Sequence, residues 1–444
     1  MLLALGVACS VGSVPPTTFP SAYPPAPAAP SGPLDSPLQQ AVDDLVGSLG
    51  AQPQLDAIEA LGEAEDPRVA WVLADVLRFA LPASPFYETL VSSLEQVMGI
   101  SLVEEVPWVE ASNHLIAWDL PAPPGYLGWK RAVYLLVEPR WEPFFDPGAD
   151  IDWRLVSWGG VLIDDRPLGD PDPCPRGCIP ALDDPGVTPA EEGGWYPDHE
   201  IVFGLVMNGE ARAYPRNIME VHEMVNDTVG GRRLGIPYCT LCGSAQAYLT
   251  DAVSAAGLEP LVLRTSGLLH RSNKVMYDLR TTSILDTFTG EAVSGPLAER
   301  EVTLPQVTLL TSTWGEWKEE HPETTIVAED GGIGRSYPAD PLGGRDDAGP
   351  IFPIGDVDPR LPVQEQVVGV IAPDGTPVAF PAAGARAALA EGRPVTVGGI
   401  RVVSDGGGLR AESEDGTPLP SHEAFWFAWS QFHPDTLVWA PLGG

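Results

Sequence analysis

The chain has 444 residues, of which 44% are hydrophobic, so it is long enough to form more than one globular core. Its formal net charge of −36 argues against a nucleic-acid partner, because binding to phosphates needs clustered lysine and arginine. We therefore expect an acidic globular protein that does not bind DNA or RNA.

The first nine residues form an uncharged apolar run that ends at Cys9. The run is shorter than the roughly 20 residues that span a bilayer, and Gly6-Val7-Ala8-Cys9 is similar to the cleavage box of a bacterial lipoprotein. Residues 10–35 are rich in proline and are predicted to form an extended tether. We predict an exported cell-envelope lipoprotein that a lipid on Cys9 anchors to the membrane, with a secreted or periplasmic protein as the alternative.

Residues 36–105 carry helix signals. Ser36-Pro37 and Asp66-Pro67 each place a capping residue before a proline, and apolar residues then recur at helical spacing. The stretch Ala57 to Arg78 is similar to one HEAT-like repeat. Because a single repeat cannot bury its own faces, we predict a small helical cap rather than a solenoid.

Residues 106–175 form a lead-in that is rich in tryptophan and proline. From about Trp108 to Asp170, this composition predicts strands and ordered loops that pack on the main domain.

The rest of the chain contains an internal repeat. Trp314 to Thr324 aligns without gaps on Trp426 to Thr436, and the turn pairs Asn208-Gly209 and Asp374-Gly375 predict a β-hairpin in each copy. The tryptophans of each closing helix lie three residues apart, on one face, and are predicted to anchor the core.

These patterns predict an α+β, mainly β fold: a duplicated β-rich unit with short helices, preceded by a small helical N-terminal region. The first β-rich unit covers residues 176–330, a linker covers 331–365, and a shortened second unit covers 366–444. Only the first unit contains the motif Cys-x-x-Cys, so we assign any chemistry to it.

That motif, Cys239-Thr240-Leu241-Cys242-Gly243, places two thiols in a tight turn. Such a turn can bind a soft metal, form a disulfide or exchange electrons. His222 lies on the apolar side of a helix predicted to start at Pro215, and the chain then returns along a strand to Cys239. Two thiolates and one imidazole suit a transition metal ion, zinc or copper.

A closed metal site needs a fourth ligand, for which the candidates are His270, Glu223, Asp278 or the other cysteine pair. A zincin protease is excluded, because Asn226 stands where that motif needs its second histidine. Cys174 and Cys178 are predicted to form a local disulfide, which is favoured outside the cytosol. Closure of a four-thiolate site and a copper-delivery pair are the alternatives for these two residues.

Four ordered motifs resemble the bacterial and archaeal domain-of-unknown-function family 3179. They are His222 to Asp227, Tyr238 to Ser244, Ser266 to Leu269 with Val275 to Asp278, and Phe425 to Trp429 with His433 to Thr436. The resemblance covers roughly residues 178–444 and implies an exported protein, often a lipoprotein, of no settled activity. Thr240 stands where the family usually has proline, which leaves the thiols intact. His270 stands where tyrosine is more frequent, which adds a candidate ligand.

Three functions follow from these residues. The first is a metal-handling or redox protein that binds copper or zinc through Cys239, Cys242 and His222. The second is a thiol-disulfide oxidoreductase, which the strand-like sequence after Cys242 disfavours, because a reactive thiol belongs at a helix N-terminus. The third is a non-catalytic extracellular binding module with structural disulfides. The partner, a protein or a small molecule, stays open.

Overall fold

The computed structural model describes residues 23–51, 54–174, 176–345 and 349–440. Cys9 and the predicted signal segment lie outside these residues, as do residues 10–22 of the predicted tether. The chain divides into two compact units. The first unit takes the described part of Met1–Gly160 with Leu268–Ser272 and Pro350–Val357, and the second takes Val161–Gly267, Asn273–Gly349 and Asp358–Gly444.

The first unit is helical. Its helices are α1 (Ser36–Ser48), α2 (Leu55–Gly62), α3 (Ala70–Leu77), α4 (Pro85–Met98), α5 (Pro107–Ala117) and α6 (Tyr126–Leu135), and a short strand, β1 (Val156–Trp158), follows them. The cap of α1 is Asp35, whose carboxylate accepts a hydrogen bond of 2.9 Å from the amide of Leu38. Within the described residues, no helix combines the length and the apolar character that crossing a bilayer requires.

The expectation of strands and loops from Trp108 was wrong for the first part of that segment, which forms α5 and α6. The apolar residues of α5 recur at helical spacing, with Trp108, Ala111 and Leu115 all buried. Pro107 lies in the first turn of α5, where a helix tolerates proline. Composition alone therefore misled the prediction, because it ignored the spacing of these residues.

The second unit is mainly β. Its helices are α7 (Arg216–His222), α8 (Gly295–Ala298), α9 (Trp314–Glu320), α10 (Ala382–Ala390) and α11 (Trp426–Phe432). Its strands are β2 (Leu182–Asp183), β3 (Val187–Pro189), β4 (Ile201–Met207), β5 (Glu210–Pro215), β6 (Met224–Val229), β7 (Arg232–Cys239), β8 (Ser244–Ala245), β9 (Ala247–Leu249), β10 (Leu263–His270, which ends in the first unit), β11 (Asn273–Asp278), β12 (Ile284–Asp286), β13 (Gln306–Val307), β14 (Leu310–Thr313), β15 (Thr325–Val327), β16 (Gln366–Ile371), β17 (Pro377–Pro381), β18 (Thr396–Val397), β19 (Ile400–Asp405), β20 (Gly408–Ser413), β21 (Ser421–Phe425) and β22 (Leu437–Val438).

Two strand arrays of this unit have the same order. One runs β14-β4-β5-β15, and the other runs β21-β16-β17-β22. In each array the central hairpin is antiparallel and the last strand joins it in parallel. A third sheet, β13-β9-β7-β6-β2, carries the cysteine turn at the end of β7.

A tryptophan packs across each central hairpin at a glycine. The rings of Trp317 and Trp429 are 0% and 2% exposed, and a Cβ atom at Gly204 or Gly369 would lie 2.3 or 2.1 Å from the facing ring. Each glycine therefore provides the space that its tryptophan occupies. The predicted α+β, mainly β fold with short helices behind a helical N-terminal region is confirmed.

Candidate functional site

The cysteine turn is closed and buried. β7 ends at Cys239, a single 3₁₀ turn follows over Thr240–Cys242, and Cys239 and Cys242 form a disulfide. The two residues are only 2% and 0% exposed. Gly243 ends the turn with a φ of +56°, and a Cβ atom there would lie 2.9 Å from the ring of Phe425, so glycine is required on both counts.

A buried ion pair lies directly behind the turn. The ammonium of Lys274 is 2.6 Å from a carboxylate oxygen of Glu223, and it also donates to the carbonyls of Glu223 and Tyr238 at 2.7 and 2.8 Å. The second carboxylate oxygen of Glu223 accepts from the hydroxyl of Thr240 at 3.1 Å. Burial lowers the pKa of Lys274, and the negative charge of Glu223 opposes that decrease. Glu223, named from the sequence as a candidate metal ligand, thus lies beside the turn and positions it through Lys274 and Thr240.

His222 lies at the end of α7, and its imidazole is fully occupied. Nδ1 is 2.6 Å from the carbonyl oxygen of Pro180, and Nε2 is 2.7 Å from the hydroxyl of Tyr337. Because a carbonyl can only accept, Nδ1 carries the proton and Nε2 accepts from Tyr337. Burial lowers the pKa of His222 to about 4, although the hydrogen bond to Pro180 opposes the decrease. The side chain points inward as expected, and it is neutral above that pH.

The helix that carries His222 ends at that residue. Glu223 has a φ of +50°, which ends α7, and β6 begins at Met224. This change of direction places the His222 ring toward Pro180 and Tyr337.

The structure does not assemble the metal site built on Cys239, Cys242 and His222. Within the described residues, these side chains do not form a group of three whose donor atoms lie within 4.8 Å of one another. Both sulfurs are bonded to each other, and both ring nitrogens of His222 are hydrogen-bonded to other residues.

The remaining candidate ligands have other roles. Asp278 accepts hydrogen bonds of 2.9 Å from the amides of Val262 and Thr281 and from the hydroxyl of Thr281, and so fixes the chain around β11. His270 belongs to the first unit, where it pairs with Val156 of β1. Burial lowers the pKa of His270 to about 4.

Cys174 and Cys178 form a disulfide, the pairing that the sequence favoured. An oxygen of the buried Asp164 carboxylate lies 3.9 and 3.7 Å from the two sulfurs, and these three residues are a group whose donor atoms lie within 4.8 Å of one another. The carboxylate already binds Arg166 through two hydrogen bonds of 2.7 and 2.9 Å and the amide of Ala181 at 2.8 Å. Its charge and its hydrogen-bonding capacity are therefore satisfied by the protein.

A cleft of about 840 Å³ opens on the second unit, and the sequence did not predict it. It is lined by Thr188, Glu192, Trp195, Tyr196, Pro197, Glu200, Asn217, Ala328, Glu329, Asp330, Gly334, Arg335, Ser336, Tyr337 and Ala339. Its volume lies in the range of small-molecule sites. The signal that the sequence offered was the pair Trp195-Tyr196, which follows two glutamates and two glycines.

His222 connects this cleft to the interior of the unit. The hydroxyl of Tyr337, a wall residue, donates to His222, and the guanidinium of Arg335 lies 5.7 Å from the centre of the Tyr337 ring. Burial raises the pKa of Tyr337 to about 12, so the hydroxyl keeps its proton near neutrality. The residue predicted as a metal ligand thus orients an aromatic side chain of the cleft.

Comparison with known protein families gives a match. A family model described as "Protein of unknown function (DUF3179)" matches residues 176–408, which contain the Cys239–Cys242 pair, Cys178 and the residues that line the cleft. No curated protein and no solved structure matches the chain.

Proposed function

The chain belongs to the family of proteins of unknown function DUF3179, and we propose that it is an exported, non-catalytic binding module. In this proposal both cysteine pairs are structural disulfides, and the ligand binds in the cleft around Trp195 and Tyr337. The cysteine turn then stabilises the scaffold and does not touch the ligand.

The observation that carries the proposal is the state of Cys239 and Cys242. Their sulfurs are bonded to each other and at most 2% of either residue is exposed, so a partner thiol cannot reach them in the folded protein. A redox thiol has to be at least partly accessible to its partner. A metal would need the disulfide to open and the imidazole of His222 to leave two hydrogen bonds.

The cleft supports binding because its wall is fixed before any ligand arrives. Tyr337 is oriented by His222, and Tyr196 donates to the carbonyl of Ile201 at 2.7 Å while accepting from the amide of Arg216 at 3.2 Å. A wall that is already ordered loses little conformational entropy on binding, which increases affinity.

The test is a count of thiols together with metal analysis. We would use the full chain carrying Cys9→Ser, made in an oxidising compartment, so that four cysteines remain. We expect no reactive thiol in the native or the unfolded protein, and no stoichiometric zinc or copper. Bound metal in a one-to-one ratio, with thiols that react only after its removal, would overturn the proposal in favour of the metal-binding function.

Export and the lipid anchor are part of the same proposal. The apolar residues 1–9 and the tether after them support a lipid on Cys9 and a position in the cell envelope. Expression of the full chain in a bacterium should place it in the membrane fraction, and Cys9→Ser should release it in soluble form. A cytosolic protein in both cases would contradict export.

A second candidate function is thiol-disulfide exchange at Cys174–Cys178. Cys178 is partly exposed, in contrast to the two buried cysteines of the turn. A thiolate of a partner dithiol would attack the Cys178 sulfur and release Cys174 as a thiolate, which leaves a mixed disulfide between Cys178 and the partner. The partner's second thiolate would then attack its own first sulfur and release Cys178 as a thiolate, so that the partner leaves as a disulfide and Cys174 and Cys178 are reduced. Mass mapping during titration with a small dithiol distinguishes the two functions. A reduction of Cys174–Cys178 that is reversible and leaves ligand binding intact favours exchange, whereas resistance of both pairs favours structural disulfides.

A further inference from the structure

We propose that the cleft around Trp195 and Tyr337 binds a short, uncharged oligosaccharide. This inference rests on the proposed binding function and adds the chemical class of the ligand. It follows from three properties of the cleft: its aromatic surface, the mixture of its polar groups and the signs of its charges.

The aromatic surface suits a ligand with flat apolar faces. The rings of Trp195 and Tyr196 are adjacent, with centroids 5.4 Å apart and planes inclined by 56°, and Tyr337 is a further aromatic residue of the wall. Aromatic rings offer a large and rigid contact area with a polar edge. A sugar ring presents a face of C–H groups that packs on such a surface, while its hydroxyls remain at the edge.

The polar groups of the cleft include both donors and acceptors. Among the described residues, the indole N–H of Trp195 and the amide oxygen of Asn217 have no hydrogen-bond partner, although both atoms are buried. The amide nitrogen of Asn217 already donates to the carbonyl of Pro338 at 3.1 Å. A buried polar atom without a partner costs free energy, so a small rotation of either side chain toward a ligand hydroxyl would be favourable. A hydroxyl can serve both, because it donates to the amide and accepts from the indole.

The charges of the cleft argue against an anionic ligand. Glu192, Glu200, Glu329 and Asp330 would repel an anion. The four carboxylates outnumber the one guanidinium of the wall, that of Arg335, so an organic cation would be attracted, and one is therefore included among the probes. An uncharged, hydroxyl-rich molecule meets no repulsion, and carboxylates accept hydrogen bonds from its hydroxyls.

The test is calorimetric titration of the full chain with four kinds of probe. These are neutral oligosaccharides built from glucose, xylose or N-acetylglucosamine, oligogalacturonate as the anionic sugar, spermidine as the organic cation, and an uncharged hexapeptide. We expect binding of a neutral oligosaccharide with quenching of tryptophan fluorescence. Trp195→Phe, which keeps a ring but removes the N–H, should weaken binding about tenfold, and Trp195→Ala should weaken it more.

Two substitutions of exposed residues provide a control, because a change at the protein surface is not expected to disturb folding. Glu192→Gln changes an exposed wall residue and should alter affinity at least threefold, whereas Glu191→Gln, its exposed neighbour outside the wall, should leave affinity unchanged. The assignment of a neutral sugar would be wrong if only spermidine, the peptide or oligogalacturonate bound and that binding depended on Trp195. The proposed binding function of the cleft would then still stand. Binding of a neutral sugar that ignores Trp195 and Glu192 would overturn its location. If no probe binds to a protein whose four cysteines form disulfides, the inference is wrong, and the result also counts against the cleft as the binding site.

Discussion

The strongest prediction concerns the buried ion pair behind the cysteine turn, which Glu223→Gln should break. The substitution leaves the Lys274 ammonium buried without a counter-charge, since the side chains of Lys274 and Glu223 are only 6% and 13% exposed. Removing one partner of a buried pair costs about 3–5 kcal/mol. Because Lys274 keeps two carbonyl acceptors, we expect a loss near the lower end, about 3 kcal/mol, which is a large share of a typical folding free energy.

Lys274→Met should cost less, about 2 kcal/mol. It removes the buried charge and leaves a carboxylate that lies closer to solvent and still binds Thr240. The double variant Glu223→Gln with Lys274→Met should therefore lose less free energy of unfolding than the two single variants lose in total. An exposed pair is the matched control: Glu391→Gln breaks an ion pair with Arg393 whose side chains are 65% and 43% exposed, and should change stability by less than about 0.5 kcal/mol.

The assay is urea unfolding at pH 7, followed by tryptophan fluorescence, for the two single variants, the double variant and the control. Because the chain has two compact units, hydrogen exchange of the amides in residues 238–243 reports the second unit separately. We expect faster exchange there in Glu223→Gln. A loss below about 1 kcal/mol, or strictly additive losses, would refute the assignment of this pair as the support of the turn.

Two further predictions concern stability. Burial lowers the pKa of His222 to about 4 and that of His422 to about 3, whereas a histidine in the unfolded chain has a pKa near 6.5. Between these pKa values the unfolded state binds more protons than the folded state. The free energy of unfolding should therefore fall as the pH is lowered from about 6.5 to 4, by on the order of 3 kcal/mol per histidine. His422→Gln should reduce the number of protons taken up on unfolding at pH 5 by about one, which is measured as the slope of the unfolding free energy against pH. An unchanged slope would contradict a buried, neutral imidazole at His422. Gly369→Ala should lower the melting temperature, because the added Cβ clashes with the Trp429 ring at a cost of about 1–3 kcal/mol or more. The control is Gly128→Ala in α6, where no atom lies near the added Cβ, and this variant should raise the melting temperature slightly. Equal shifts of the two variants would contradict the packing of Trp429 on Gly369.

The sequence alone predicted the parts of this protein that depend on local pattern. The mainly β character of the second unit followed from alternating residues and from turn pairs such as Asn208-Gly209, which joins β4 to β5. The cysteine turn at a strand end followed from the strand pattern before Cys239. The helices from Pro107 onward were predictable from residue spacing, although composition suggested strands.

Only the tertiary structure decided the site. His222 was correctly placed on an inward face, but its direction depends on Glu223 in the left-handed region and on Tyr337, which lies 115 residues further along the chain. The cleft likewise brings together Trp195 and Tyr337, which lie far apart along the chain. Local sequence patterns follow from the geometry of one helix or strand, whereas these contacts follow from how whole elements pack, and no spacing along the chain encodes that packing.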